Sequence, residues 1–273
     1  MSARIRGLSL TALLALASVI AILPFYWMVI AATHSNSEIF SSPPQLLPGS
    51  HLAKNLAHLQ AAVGILRVIG NSLIIATCYT AAGVVVCGLA GYAFAKYRFR
   101  GRDPLFFTLL ATLVVPSQVT LVPLFKMMLT LGWLNTYQAI VLPSLALPFG
   151  IFLMRQACAA VPDELLDAAR VDGCGELRLL PHIVVPVMRA PLATLAIFLF
   201  LFQWNDFTWP LIALRTGDMY TLPVALASLV GLTQTDYGQL MAGTALAAVP
   251  VAVVFICLQR YFVAGLLAGS IKG

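Results

Sequence analysis

Charge is what this sequence has least of. Of its 273 residues only 16 are Lys or Arg and 10 are Asp or Glu, while 60% are apolar. A soluble domain carries about 25% charged residues, so charge this sparse cannot clothe the surface of a soluble fold. The net charge of +6 would raise nucleic acid as a partner in a soluble protein; here the positions of the charges matter more and report topology. Cysteine is equally uninformative as chemistry. Cys78, Cys87, Cys158, Cys174 and Cys257 are odd in number and form no CxxC pair, which argues against a disulfide framework and a zinc site; they read as small apolar packing residues. The four histidines, His34, His51, His58 and His182, share no ligand spacing on one helix and read as surface or interface residues. A GxxxxGK[ST] phosphate loop is also absent, so any ATP-driven process needs its ATPase on another polypeptide. No nucleophile–base pair or metal cluster falls at membrane depth, which disfavours an intramembrane enzyme.

What the sequence has in abundance is long apolar runs. A membrane span needs about 20 apolar residues, and six stretches qualify, at about 8–31, 72–95, 105–125, 137–154, 192–214 and 240–262. Arg4 and Arg6 precede the first as in a signal peptide, but its apolar run exceeds the roughly 7–15 residues of such a segment, so it reads as a retained anchor. With the N-terminus inside, the inner set of cations is Arg4, Arg6, Lys96, Arg98, Arg100, Arg102, Arg155, Arg170, Arg178, Arg189, Arg260 and Lys272. The outer set is Lys54, Arg67, Lys126 and Arg215, giving twelve against four. That bias places both termini in the cytoplasm. The expectation is an all-α polytopic membrane protein with one permease domain over residues 1–273. Pro24, Pro116, Pro123, Pro143, Pro148, Pro210 and Pro250 fall within the spans, where proline frees a carbonyl and kinks the helix; such kinks can act as hinges, and they are also common in membrane helices generally.

One polar island interrupts the apolar chain. "PDELLDAARVDGCGELRLLPHIVVP" (162–186) holds five of the ten acidic residues: Asp163, Glu164, Asp167, Asp172 and Glu176. Pro162 suits the first turn of a helix, and Asp163 and Glu164 favour its positive end. "ELLDAARV" is built of good helix formers, Gly173 can adopt a left-handed cap, and "ELRLL" starts a second short helix before Pro181. The expected form is helix, tight turn, short helix at the inner membrane face, with Ala168 and Ala169 slim enough for close docking. Against docking stands a solvated amphipathic loop in which Asp167 and Arg170 simply pair along the helix.

The same residues resemble the EAA motif of ABC importer permeases, which reads E-A-A, three residues, G, nine residues, I, one residue, L-P. It falls without a gap on Asp167, Ala168, Ala169, Gly173, Ile183, Val185 and Pro186, with five of the seven residue types matching. "NSLIIATCYTAAGVVVCGLAGYAFAKYRFRGRD", "LVVPSQVTLVPLF", "WNDFTWPLI", "YTLPVALASL" and "QRYFVAGLLAGSIKG" extend the likeness to nearly the whole chain and resemble the six-span, maltose-system G-type members of the carbohydrate-uptake class. The resemblance implies the type I ABC importer fold with a coupling loop at 155–189, and a non-enzymatic subunit that forms half of a translocation pathway. It also implies the partners: a second homologous permease, two cytoplasmic ATPase subunits that bind ATP and Mg, and an extracytoplasmic solute-binding protein. The site residues it implies for ATPase coupling are Glu164, Asp167, Ala168, Ala169, Asp172, Gly173, Ile183 and Pro186, and the place is a bacterial inner membrane. This chain itself would bind no cofactor. Three departures stand out: Asp167 is one methylene shorter than Glu, about 1.5 Å less reach; Val185 replaces Leu; and Pro181 stands in the second coupling helix, where it predicts truncation or a kink. The tail "AGLLAGSIKG" either touches the ATPase pair or is a loose end.

The pathway is less legible. Asp206 is the one acidic residue expected within a span, and such groups face a cavity or a partner. With Gln203, Trp204, Asn205 and Trp209 it would suit the hydroxyls and C–H faces of a sugar; the same residues also suit a structural network at a helix break before Pro210. Gln118 is a further candidate, and Asn71 and Ser72 read as caps of the second span. The expected solute is a sugar or oligosaccharide, since no Lys or Arg lies deep in a span; glycerol phosphate or another polyol is the alternative. A stand-alone secondary transporter is the rival from another class, for which a single acidic residue is thin.

Overall fold

The computed structural model describes residues 3–231 and 235–270. Every regular element among them is helical, as long apolar runs require in hydrocarbon, where a helix satisfies its backbone internally. Three helices are long and apolar enough to cross a membrane: Leu10–Ala31, Ile65–Lys96 and Tyr237–Gln259. Two more candidates are bent pairs, Arg102–Val114 with Ser117–Thr130 at 101° and Leu180–Val187 with Arg189–Trp204 at 80°. The first bend sits at Pro116, whose ring holds Val115 extended at ψ 117°.

These elements differ from the sequence expectation at definite places. The second long helix begins at Ile65, seven residues before the expected start. Asn71 and Ser72 are therefore interior residues and not caps. The stretch expected at 137–154 is divided into Tyr137–Val141 and Pro148–Ala159, because Pro143 lies between them and Pro148 opens the second piece. The helix from Arg189 stops at Trp204, and Thr208–Ala213 follows as a separate short helix. Pro24, Pro123 and Pro250 remain inside continuous helices.

The chain divides into two compact units, Met1–Val68 with Val224–Pro250 and Ile69–Pro223 with Val251–Gly273. In the first, Leu13, Ile20 and Leu23 of the N-terminal helix are each about 60% exposed, the reverse of a soluble helix and suited to lipid. Its end is fixed by polar contacts: Asn55 Nδ2 donates to the carbonyls of Ala32 and His34 at 2.8 and 2.9 Å. Asn36 donates to Thr235 O at 2.9 Å and accepts from Tyr237 N at 2.8 Å. His34, expected at the surface or an interface, is buried within the fold, with its ring nitrogens 2.9 Å from Ile30 O and 3.1 Å from Gln45 Oε1. A polar ring can be buried when both nitrogens are partnered.

In the second unit one apolar cluster gathers Tyr79, Cys87, Met154, Leu166, Leu179 and Leu195, and another gathers Ile75, Met128, Ile140 and Trp209. Gly91 lets two helices meet: a Cβ there would lie 2.7 Å from the Arg155 backbone nitrogen. Cys87 and Cys158 are buried and all five cysteines are free thiols.

Candidate functional site

The island's helix begins one residue later than expected. Pro162 is the extended residue before the helix, at ψ 135°, and Asp163–Val171 is helical with Asp163 and Glu164 in its first turn. Leu166 and Ala169 face inward and are buried, as is Leu179 beyond the turn. Burying Leu166 alone contributes about 2 kcal/mol, which holds this helix against the second unit's core. Gly173 ends it with φ +82°, the left-handed conformation that glycine adopts without a Cβ penalty. Its amide donates to Arg170 O at 3.0 Å and that of Cys174 to Ala169 O at 2.9 Å.

Beyond the turn Glu176–Leu179 is a single helical turn. The backbone then widens to a π-helix over Leu180–Val184. Pro181 has no amide to donate, so an α-helical bond is missing there, and a wider turn accommodates the loss. The second short helix thus ends its α-geometry at Leu179, and Ile183 sits in the widened stretch, half-buried, with Pro186 beyond it. Glu164, Asp167, Ala168, Asp172 and Gly173 are exposed.

Three polar ties fix the island. Lys96, the last residue of its long helix, has its side chain 7% exposed; Nζ donates to Val161 O at 2.5 Å and to Asp163 Oδ1 at 2.6 Å. Hydrogen bonding from Lys96 holds the Asp163 carboxyl below its ordinary range. Arg170 reaches two acids, Asp167 Oδ1 at 2.7 Å and Glu176 Oε1 at 2.8 Å, and Tyr97 Oη donates to the other Glu176 oxygen at 2.8 Å. Arg170 first and Tyr97 second lower the Glu176 carboxyl, and Glu176 raises the Tyr97 phenol. The i,i+3 pair of Asp167 and Arg170 is legible in the sequence; the Lys96 bolt and the Tyr97 bond join residues 67 and 79 apart, and no local pattern signals them.

A second polar group lies at the helix break after Trp204. Gln203 and Trp204 are buried, and Trp204 stacks on Phe200 at 5.6 Å. Asn205 Nδ2 turns back to Leu201 O at 2.8 Å. Asp206 is half-buried and stands two residues before the helix that starts at Thr208. Trp209 is buried and donates to Ala139 O at 2.8 Å. Trp204, Asn205 and Trp209 thus have partners within the fold. Gln203 differs: its Nε2 is buried without a hydrogen-bond partner. Gln118 stands apart, exposed, with Oε1 3.5 Å from Ser117 Oγ.

Residues 83–267 match the model of the binding-protein-dependent transport system inner membrane component, well over half of the chain. The protein belongs to this family. It is a transmembrane permease subunit of a binding-protein-dependent ABC importer. The permease is 41% identical over 259 residues to the lactose transport system permease protein LacG of Rhizobium radiobacter, covering 95% of this chain and 94% of that one. It is 32% identical over 265 residues to the sn-glycerol-3-phosphate transport system permease protein UgpE of Agrobacterium fabrum, covering 93% and 94%. Its fold matches a chain of a bacterial ABC transporter involved in import of the acidic polysaccharide alginate. The TM-score is 0.81 at 23% identity over 96% of this chain and 99% of that one. The permease therefore has the type I importer fold.

Proposed function

We propose that this permease imports a neutral sugar or oligosaccharide and that the island at 162–186 is the seat of a separate ATPase. The observation that carries the docking reading is the turn at Gly173: a helix anchored by Leu166 and Ala169 presents Glu164, Ala168 and Asp172 outward and reverses at a left-handed glycine placed where the EAA motif has one. In this reading loop 155–189 and both termini are cytoplasmic, and a bacterial inner membrane surrounds the spans. Two ATPase subunits bind ATP and Mg. A second homologous permease completes the pathway, and an extracytoplasmic binding protein delivers the solute. This chain binds no cofactor of its own. Asp167, Ile183 and Pro186 shape the docking face, with Asp167 paired to Arg170; Ala169, expected on that face, is buried and supports it from beneath.

A neutral solute is favoured by the higher identity to the lactose permease and by the absence of Lys and Arg from residues 190–214. Gln203, with its free amide donor, is the residue of the 203–209 group placed on the pathway. The test is to co-express the tagged chain with its neighbouring genes, capture it, and measure ATPase stimulation by the binding protein loaded with lactose-class sugars or with glycerol phosphate. An ATPase captured by the wild type, lost with Gly173→Arg and stimulated by sugars is the expected result. Stimulation by glycerol phosphate alone selects the polyol reading, supported by the glycerol-phosphate relative. Capture of no ATPase from a properly assembled membrane refutes the docking reading.

A further inference from the structure

The turn that joins the helices Ile65–Lys96 and Arg102–Ala111 carries a cation every second residue: Lys96, Arg98, Arg100 and Arg102. Their fates differ. Lys96 is consumed by Val161 and Asp163. Arg102 is held by Asp103, Nε to Oδ1 at 2.8 Å and Nη2 to Oδ2 at 3.4 Å, so one face of its guanidinium is neutralised. Arg155, whose charge reaches Asp103 through space, lies over the Phe106 ring at 4.1 Å. Arg98 and Arg100 are exposed and form no ion pair among the described residues; the charge of Arg98 reaches Asp163 through space only.

Residues 97–99 lie outside both helices. Tyr97 bonds to Glu176 and Phe99 packs on Phe94 with ring centroids 6.0 Å apart. Arg98 and Arg100, which alternate with them in the chain, are left exposed. Gly101, at φ +83°, then turns the chain sharply into the next helix. At this turn an open cavity of about 500 Å³ is lined by Arg98, Phe99, Gly101, Arg102, Asp103 and Pro104, and exposed Arg100 adjoins that lining in the chain without being part of it. Cations stand at its wall, and the one carboxylate there is already paired.

The geometry points to this turn as a binding site for the phosphate headgroup of an anionic phospholipid. It lies at the polar end of apolar helices in a membrane permease, where a headgroup is present at high local concentration. Unpaired guanidiniums suit phosphate oxygens. Half-exposed Tyr97 and Phe99 suit the interfacial zone around a headgroup. Juxtamembrane basic residues attract anionic lipid at about 1 kcal/mol each, so neutralising two predicts roughly a twenty- to thirtyfold loss of preference. This inference rests on family membership and not on the ATPase docking site.

The test uses the assembled permease in nanodiscs of phosphatidylcholine with phosphatidylglycerol, and quantifies the lipid retained after extraction. Wild type is expected to enrich phosphatidylglycerol. Arg98→Gln with Arg100→Gln loses the enrichment, while Arg98→Lys with Arg100→Lys and the control Lys54→Gln keep it. Equal enrichment by the double Gln variant overturns the proposal. Displacement of the lipid by low-millimolar inorganic phosphate assigns the site to a free anion and overturns the lipid source. A double Gln variant that retains the lipid but no longer captures the ATPase makes the turn a protein contact instead.

Discussion

Gly173 allows the backbone of the docking turn to be separated from its surface. At φ +82° nothing lies within 4 Å of where a Cβ would be, so a side chain there meets no clash inside the permease. The whole cost of Gly173→Ala is then conformational, about 1–2 kcal/mol for a left-handed L-residue. If the ATPase recognises this turn, the cost appears as weaker association, by roughly five- to thirtyfold at 1.4 kcal/mol per decade. Asn tolerates the left-handed region better than Ala, so Gly173→Asn is expected to bind within a few-fold of wild type. Gly173→Arg suffers the same backbone cost as Ala and adds bulk and charge to the presented face, so it binds worse than Ala. The assay titrates purified ATPase against the permease in nanodiscs and ranks the four proteins. An order of Gly, Asn, Ala, Arg is expected. If Asn binds as poorly as Arg, side-chain size and not backbone geometry controls docking. If Arg binds as tightly as Gly, the turn is not in the interface.

Lys96→Met leaves the Val161 carbonyl without its donor in a site where the side chain is 7% exposed. A loss of about 1–3 kcal/mol, read as a lower Tm in detergent, is expected, and an unchanged Tm refutes the bolt. Asn71→Ala removes donors to Asp218 O and Tyr220 O and the acceptor for Tyr137 Oη. About 2 kcal/mol of destabilisation and faster proteolysis at 215–222 follow, and wild-type proteolysis would contradict this. Asp206→Asn keeps the side chain's size and one acceptor oxygen just before the Thr208–Ala213 helix while removing the charge, so uptake within a few-fold of wild type is expected; abolished uptake at normal assembly would make the charge functional. For pH, Asp163 and Glu176 have folded values held below their ordinary ones by Lys96 and by Arg170 with Tyr97. The stability they contribute is complete above those values and disappears as pH falls through the lower folded ones. Amide-exchange protection over 163–179 is expected to hold from pH 8 to 5 and to fall only in stronger acid; loss near neutrality would exclude these pairs as the cause.

The sequence by itself determined the class of molecule and the place of its island. Apolar runs with little charge force helices in lipid, because only intrachain bonds satisfy the backbone there. Pro162, the acidic first turn and Gly173 are local signals, so the helix Asp163–Val171 and its left-handed stop were readable from neighbours in the chain. Pro181 also announced its disturbance, though not that the backbone would answer with a π-helix through Val184. What tertiary structure decided were the partners across the chain. Lys96 was countable as an inner cation, yet its engagement by Val161 and Asp163 depends on where two distant segments lie. Asn71 and Ser72 read as caps, but the helix runs through them and they instead hold the 218–222 segment. His34 read as a surface or interface residue and is buried within the fold, with its ring nitrogens against Ile30 O and Gln45. Hydropathy is additive along a chain and can be read from it; hydrogen-bond pairing is a property of two positions at once, and only the folded backbone brings them together.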